Sequence, residues 1–144
     1  MRKIVLFLST AVLFLLMFPG LAISAKGYKD VDAIGVKKLI DKEDALVVFP
    51  LSPMEFDHKH IKGSVNIIPK MMEYELPTDK GKAIVFYCLG TKCVASWRAA
   101  EKAVELGYKN VYAFREGIPG WEKAGYPVVS TKKLPDFYKL LPPL

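Results

Sequence analysis

Ala83-Ile-Val-Phe-Tyr-Cys-Leu-Gly-Thr-Lys-Cys-Val-Ala-Ser96 is the stretch that decides the fold. Five residues of buried-strand character, Ala83 to Tyr87, end at Cys88. A short loop with Gly90 and a second cysteine, Cys93, follows, and Trp97 to Leu106 then carries a helical pattern. A cysteine delivered by a strand into a tight loop at a helix N-terminus is a device for making a reactive thiolate. The unpaired N–H groups and the positive end of the helix dipole favour the charged sulfur. The same N–H groups can hold an anion beside it. The expected chemistry is a nucleophilic Cys88 acting on an anionic substrate.

Outward from this stretch, strand and helix signals alternate. Ala45 to Phe49 is a β-rich apolar run between Asp44 and Pro50, the mark of a buried strand. Before it, Val36 to Ile40 predicts a short helix capped by Asp30 or Asp32. After it, Ser52-Pro-Met-Glu55 is a capping box with proline at the first helical position. Val65 to Ile68 predicts a short strand ended by Pro69, Met71 to Leu76 a helical turn, and Asp79 to Lys82 a turn. Asn110 to Phe114 reads as a third strand. Pro119 to Ala124 reads as a short helix stopped by Gly125, and Gly107 closes the helix that ends at Leu106. Alternation of this kind predicts an α/β fold with parallel pairing and helices on both faces of the sheet. Ligands of such folds bind beyond the carboxyl ends of the strands, where Cys88 sits.

The first 25 residues read as a segment apart from this pattern. Arg2-Lys3 precedes an apolar run from Ile4 to Phe18, Pro19-Gly20 breaks it, and Ala25 precedes a plausible cut. This is the pattern of a secretory signal peptide, which predicts a periplasmic or secreted protein. The alternative, an uncleaved anchor over residues 4–18, is short of the ~20 residues a spanning helix needs. Residues 26–144 then form one domain, with an apolar tail from Ser130 to Leu144 in which Asp136 to Leu140 can make a helical turn. The formal net charge is +6. Its lysines are scattered among acids, which fits a solvated surface and small anions better than nucleic acid. No membrane contact is expected once the signal is cleaved. Export favours disulfides, but a Cys88–Cys93 bond closes too small a loop to act as a staple. It would be a redox state of the site.

Three blocks of the chain resemble the rhodanese family of sulfurtransferases. Ser52-Pro-Met-Glu-Phe56 with His60-Ile-Lys-Gly-Ser-Val-Asn-Ile67 is the first. Ala83 to Cys88 is the second and matches the strand that ends in the family's catalytic cysteine. Gly107-Tyr-Lys-Asn-Val-Tyr-Ala-Phe114, Gly117-Ile118, Trp121 and Gly125-Tyr-Pro-Val128 form the third. The Cys-x4-Cys loop is similar to that of exported, single-domain bacterial members. The resemblance implies a doubly wound α/β fold with a five-stranded, mostly parallel sheet, and a persulfide mechanism that needs no cofactor. Cys88 takes a sulfane sulfur from a small anionic donor such as thiosulfate and passes it to a thiol or cyanide-like acceptor. The backbone of Leu89, Gly90, Thr91, Lys92 and Val94 would form an anion nest for substrate.

The chain departs from the family pattern in ways that bear on donor choice more than on fold. Phe49-Pro50-Leu51 replaces a charged Asp-x-Arg pair, and Lys59 and Glu116 replace glycines. Cys93 stands where the loop arginine is expected, leaving Lys92 as the loop's cation. Arg115, just past a strand end, is the first candidate to replace that arginine, with Arg98 behind it. Cys93 itself is either a small residue filling space or a resolving thiol that attacks a Cys88 persulfide. The second case would make the protein a thiol–disulfide or persulfide redox protein with a partner reductant. A non-catalytic module that carries sulfur or binds a partner is a further alternative. His60 reads as a structural residue bonded to backbone, not as a metal ligand, and no metal is expected. Ser96 reads as the helix N-cap. A phosphatase or arsenate reductase would need His before the cysteine and Arg six places after it. Tyr87 and Val94 occupy those positions.

Overall fold

The computed structural model describes residues 27–131. The candidate signal segment, residues 132–144 of the tail and the turn expected over Asp136 to Leu140 lie outside the described residues. The chain runs β1 (Lys29–Asp30), α1 (Ala33–Glu43), β2 (Leu46–Phe49), α2 (Pro53–His58), β3 (His60–Ile61) and β4 (Val65–Asn66). A 3-10 turn over Pro69–Met71 leads into α3 (Met72–Glu75). β5 (Ile84–Tyr87), α4 (Ala95–Glu105), β6 (Val111–Phe114), α5 (Gly117–Lys123) and β7 (Val128–Val129) complete it.

Five strands form one sheet in the order β1-β6-β5-β2-β4. Every neighbouring pair in it is parallel. The antiparallel pairing is set apart in a two-stranded ladder of β3 and β7. β2 and β5 read as unbroken apolar runs because both of their faces are covered. Val48, Ile84 and Phe86 meet Ala99, Ala100 and Ala103 of α4 on one side. Val47, Phe49, Val85 and Tyr87 meet Val36 and Leu39 of α1 and Ile118 and Trp121 of α5 on the other. This is the doubly wound architecture the resemblance implies, with the helices on both faces that the alternation predicts. From β2 the chain moves outward to β4, and from β5 it moves the other way to β6. The carboxyl ends of β2 and β5 therefore flank the switch point at which such sheets bind ligands.

Local chemistry sets the helix starts. The Asp32 carboxylate accepts from Gly35 N at 2.7 Å, which makes it, not Asp30, the cap of α1. Ser52 and Glu55 form the reciprocal capping box of α2, a device that contributes about 1 kcal/mol. His60 Nδ1 donates to Phe56 O at 2.7 Å, and its ring stacks on Phe56. The structural reading of His60 accounts for both contacts.

Two helix starts differ from the sequence reading. α4 begins at Ala95, so Ser96 lies inside the helix and Val94 takes the cap position without a side-chain bond. Ser96 is fully buried, and its Oγ has no hydrogen-bond partner among the described residues. It shares the inner face with Ala99, Ala100 and Ala103, a stripe of small residues that lets α4 lie close to the sheet. α5 begins at Gly117, two residues before Pro119. Proline in a first turn loses no helix bond, since its missing N–H would have been unpaired there.

Candidate active site

β5 is the middle strand of the sheet, and it carries Cys88 out at its carboxyl end. The loop beyond it folds back on itself through Cys93 N donating to Gly90 O at 3.0 Å. Cys88 has no exposed surface. Its Sγ donates to Cys93 O at 3.3 Å and more weakly to Gly90 O at 3.8 Å. Both partners are acceptors, the arrangement of a thiol at rest beneath its loop. The amides of Leu89 and Ala95 face the Cys93 sulfur.

Cys93 is half-buried, and its thiol is pushed up, first by burial and then by its hydrogen bond with the Cys88 thiol and by that group's charge. The bonds from Ala95 and Leu89 N–H act in the opposite sense. The Cys93 carbonyl thus sits on the Cys88 thiol, and neither cysteine is in a disulfide.

α5 locks the far side of the site. Ile118 N donates to Cys88 O at 3.1 Å. Gly117 has φ +57°, and a Cβ on it would fall 2.0 Å from Cys88 O. Only glycine meets both the left-handed backbone and the close approach. Below Cys88, the Tyr87 hydroxyl accepts from Ile61 N at 3.0 Å and shares a 2.6 Å bond with Ser64 Oγ. Burial pushes this phenol up to about 12.

A cleft of about 1120 Å³ opens over the loop. Leu89, Gly90, Thr91, Lys92 and Cys93 form one wall; Ile34 and Leu51 also line it, with Pro119 of α5 beside Gly90. Ile34 and Leu89 are both exposed apolar side chains. The charged lining is mixed: Asp32, Glu55 and Glu116 against Lys92 and Lys123. Among the described residues no arginine lines it. Five of the expected site residues are therefore brought together on one wall, with Cys88 beneath them. Val94 is exposed but lies outside the cleft wall. Arg115 is also outside it. Its Nε donates to Asp30 Oδ1 at 2.8 Å and its Nη2 to Tyr28 OH at 3.3 Å, which holds it at the β1 edge. Arg98 lies over the Trp97 ring. Neither arginine replaces the missing loop cation. Among the described residues no group of three or more His, Cys, Asp or Glu side chains could hold a metal ion.

Sequence reasoning passed over Glu55, Glu116 and Lys123, which line the cleft from two separate segments, α2 and the two ends of α5. No local pattern announces such convergence. Gly117 was legible only as part of a motif, not as the contact surface of Cys88.

A central parallel sheet with a cysteine loop at its switch point defines a rhodanese-like protein. The chain belongs to the rhodanese-like domain family, whose model matches residues 32–124. It is similar to a thiosulfate sulfurtransferase, GlpE, of Coxiella burnetii, with 27% identity over 74% of this chain and 97% of that protein. Protein YibN of Escherichia coli is 35% identical over 66% of this chain and 68% of its own length. Among solved structures, a Bacillus halodurans protein superposes with a TM-score of 0.63 at 26% identity, covering 73% of this chain and 78% of that one. The family is of the sulfurtransferase type.

Proposed function

We propose that this protein is an exported sulfurtransferase that carries sulfane sulfur as a persulfide on Cys88. The observation that carries this reading is the placement of Cys88. It leaves the middle strand at the switch point, its carbonyl clamped by Gly117 and Ile118, its sulfur beside the cleft wall. The Cys88 thiolate attacks the sulfane sulfur of thiosulfate. The S–S bond of the donor breaks, sulfite leaves with the electron pair, and Cys88 keeps the sulfur. A thiol acceptor then attacks the outer sulfur and regenerates Cys88.

The cleft bears on the acceptor. At about 1120 Å³ it is far larger than thiosulfate or cyanide, and its exposed Ile34 and Leu89 offer apolar contact. A thiol on a larger organic molecule or a polypeptide fits it better than cyanide. Export rests on the signal-peptide pattern of residues 1–25. The test is single-turnover release of sulfite from thiosulfate. The full chain should release one equivalent and Cys88→Ser none; equal release from both would refute the assignment.

A further inference from the structure

We propose a second activity for this site: reductive release of the carried sulfur as sulfide, with Cys93 closing a disulfide on Cys88. The inference rests on the reading of Cys88 as the sulfur carrier. The chain holds two cysteines, and both lie in the loop that ends β5. The turn from Cys93 N to Gly90 O folds the loop so that Cys93 also supplies the acceptor for Cys88 Sγ, at 3.3 Å. A space-filling residue would need neither a thiol nor a place on the cleft wall, and Cys93 has both.

The step balances. Cys93 sulfur attacks the Cys88 sulfur of the persulfide, forming the Cys88–Cys93 bond and breaking the bond to the outer sulfur. The outer sulfur leaves with the electron pair and collects the Cys93 proton, so one hydrogen sulfide is formed for each disulfide. The sulfane sulfur gains two electrons, and each cysteine sulfur loses one. Burial raises the Cys93 thiol, so it brings its own proton to the step. Cys88 is buried and Cys93 lines the cleft. A dithiol reductant that restores the pair therefore attacks Cys93, and Cys88 leaves as the thiolate. The class of reaction that must follow each turnover is dithiol–disulfide exchange.

The test uses the reduced full chain under anaerobic conditions, with one equivalent of thiosulfate and no acceptor. Sulfide is measured by a trapping assay and the protein by intact mass. The wild-type chain should release about one equivalent of sulfide and end as a disulfide that dithiothreitol reopens, whereas Cys93→Ser should keep the extra sulfur and release sulfide at least about tenfold more slowly. Cys93→Ala serves as the second variant, and circular dichroism checks both folds. A wild-type chain that holds a stable persulfide and yields no sulfide overturns the inference and leaves the carrier reading standing. Failure of the wild-type chain and both folded variants to take up sulfur overturns the two together.

Discussion

Gly117 and Cys88 are in backbone contact: there is no room for a side-chain carbon on the glycine, because it would meet the Cys88 carbonyl oxygen at 2.0 Å. Two segments far apart in sequence thus share one fixed point, at the residue that carries the chemistry. Gly117→Ala should therefore do two kinds of harm. Overpacking and a left-handed backbone together cost about 3 kcal/mol. The Cys88 loop should also shift, slowing sulfite release more than a uniform loss of stability would. Denaturant melts and single-turnover kinetics below the transition measure the two effects separately.

Ser96 supplies a prediction of the opposite sign. Its buried hydroxyl has no partner, and its neighbours on the inner face of α4 are alanines. Ser96→Ala removes an unpaired polar group and improves helix propensity. The variant should be more stable by about 1 kcal/mol in chemical denaturation. A loss of stability would mean that the hydroxyl has a partner after all.

Tyr87 ties stability to alkaline pH. Its phenol is raised to about 12, chiefly by burial, from an ordinary value of 10.0. The folded state therefore keeps the proton where the unfolded chain has lost it. That stabilisation is fully present below pH 10 and is lost as pH rises through about 12. The slope is about 1.4 kcal/mol per pH unit across that window. Tyr87→Phe should lose about 1–2 kcal/mol at neutral pH, from its broken bonds to Ser64 and Ile61. It should also show a shallower decline above pH 10.

Lys92 and Arg115 test where anion recognition lies. Lys92 is on the cleft wall, and Arg115 is paired with Asp30 outside it. An exposed charge is worth about 0.2–1 kcal/mol, so Lys92→Ala should raise KM for thiosulfate a few-fold with kcat little changed. Arg115→Ala should leave both constants unchanged. The reverse pattern would move the donor site to the β1 edge.

What the sequence discloses here follows from range. β2 and β5 are legible because residues buried on both faces must all be apolar, a signal contained in five consecutive positions. α2 is legible because Ser52, Pro53 and Glu55 write its start locally. β1, β3 and β7 are two residues long, too short for any periodicity, and exist through pairing with distant partners. Ser96 resembles a cap because serine favours caps, but packing of α4 on the sheet decided its place. Arg115 lies just past a strand end, as a ligand-side residue should. Its partner Asp30 comes from the other end of the chain, and no spacing rule connects them. The Tyr87–Ser64–Ile61 bonds are invisible for the same reason. The departures at Cys93 and at Phe49-Pro50-Leu51 were legible as departures, and the mixed charge of the cleft now gives them a place.

The most direct test of the account is to locate the transferred sulfur. Reduced protein is treated with thiosulfate, quenched with an alkylating agent in acid, digested, and sequenced by mass spectrometry. Cys93→Ser is run alongside, so that the persulfide cannot resolve. One added sulfur on the peptide bearing position 88 is the predicted result. Sulfur found on Cys93 of the wild-type chain, or on neither residue in the folded variant, would contradict it.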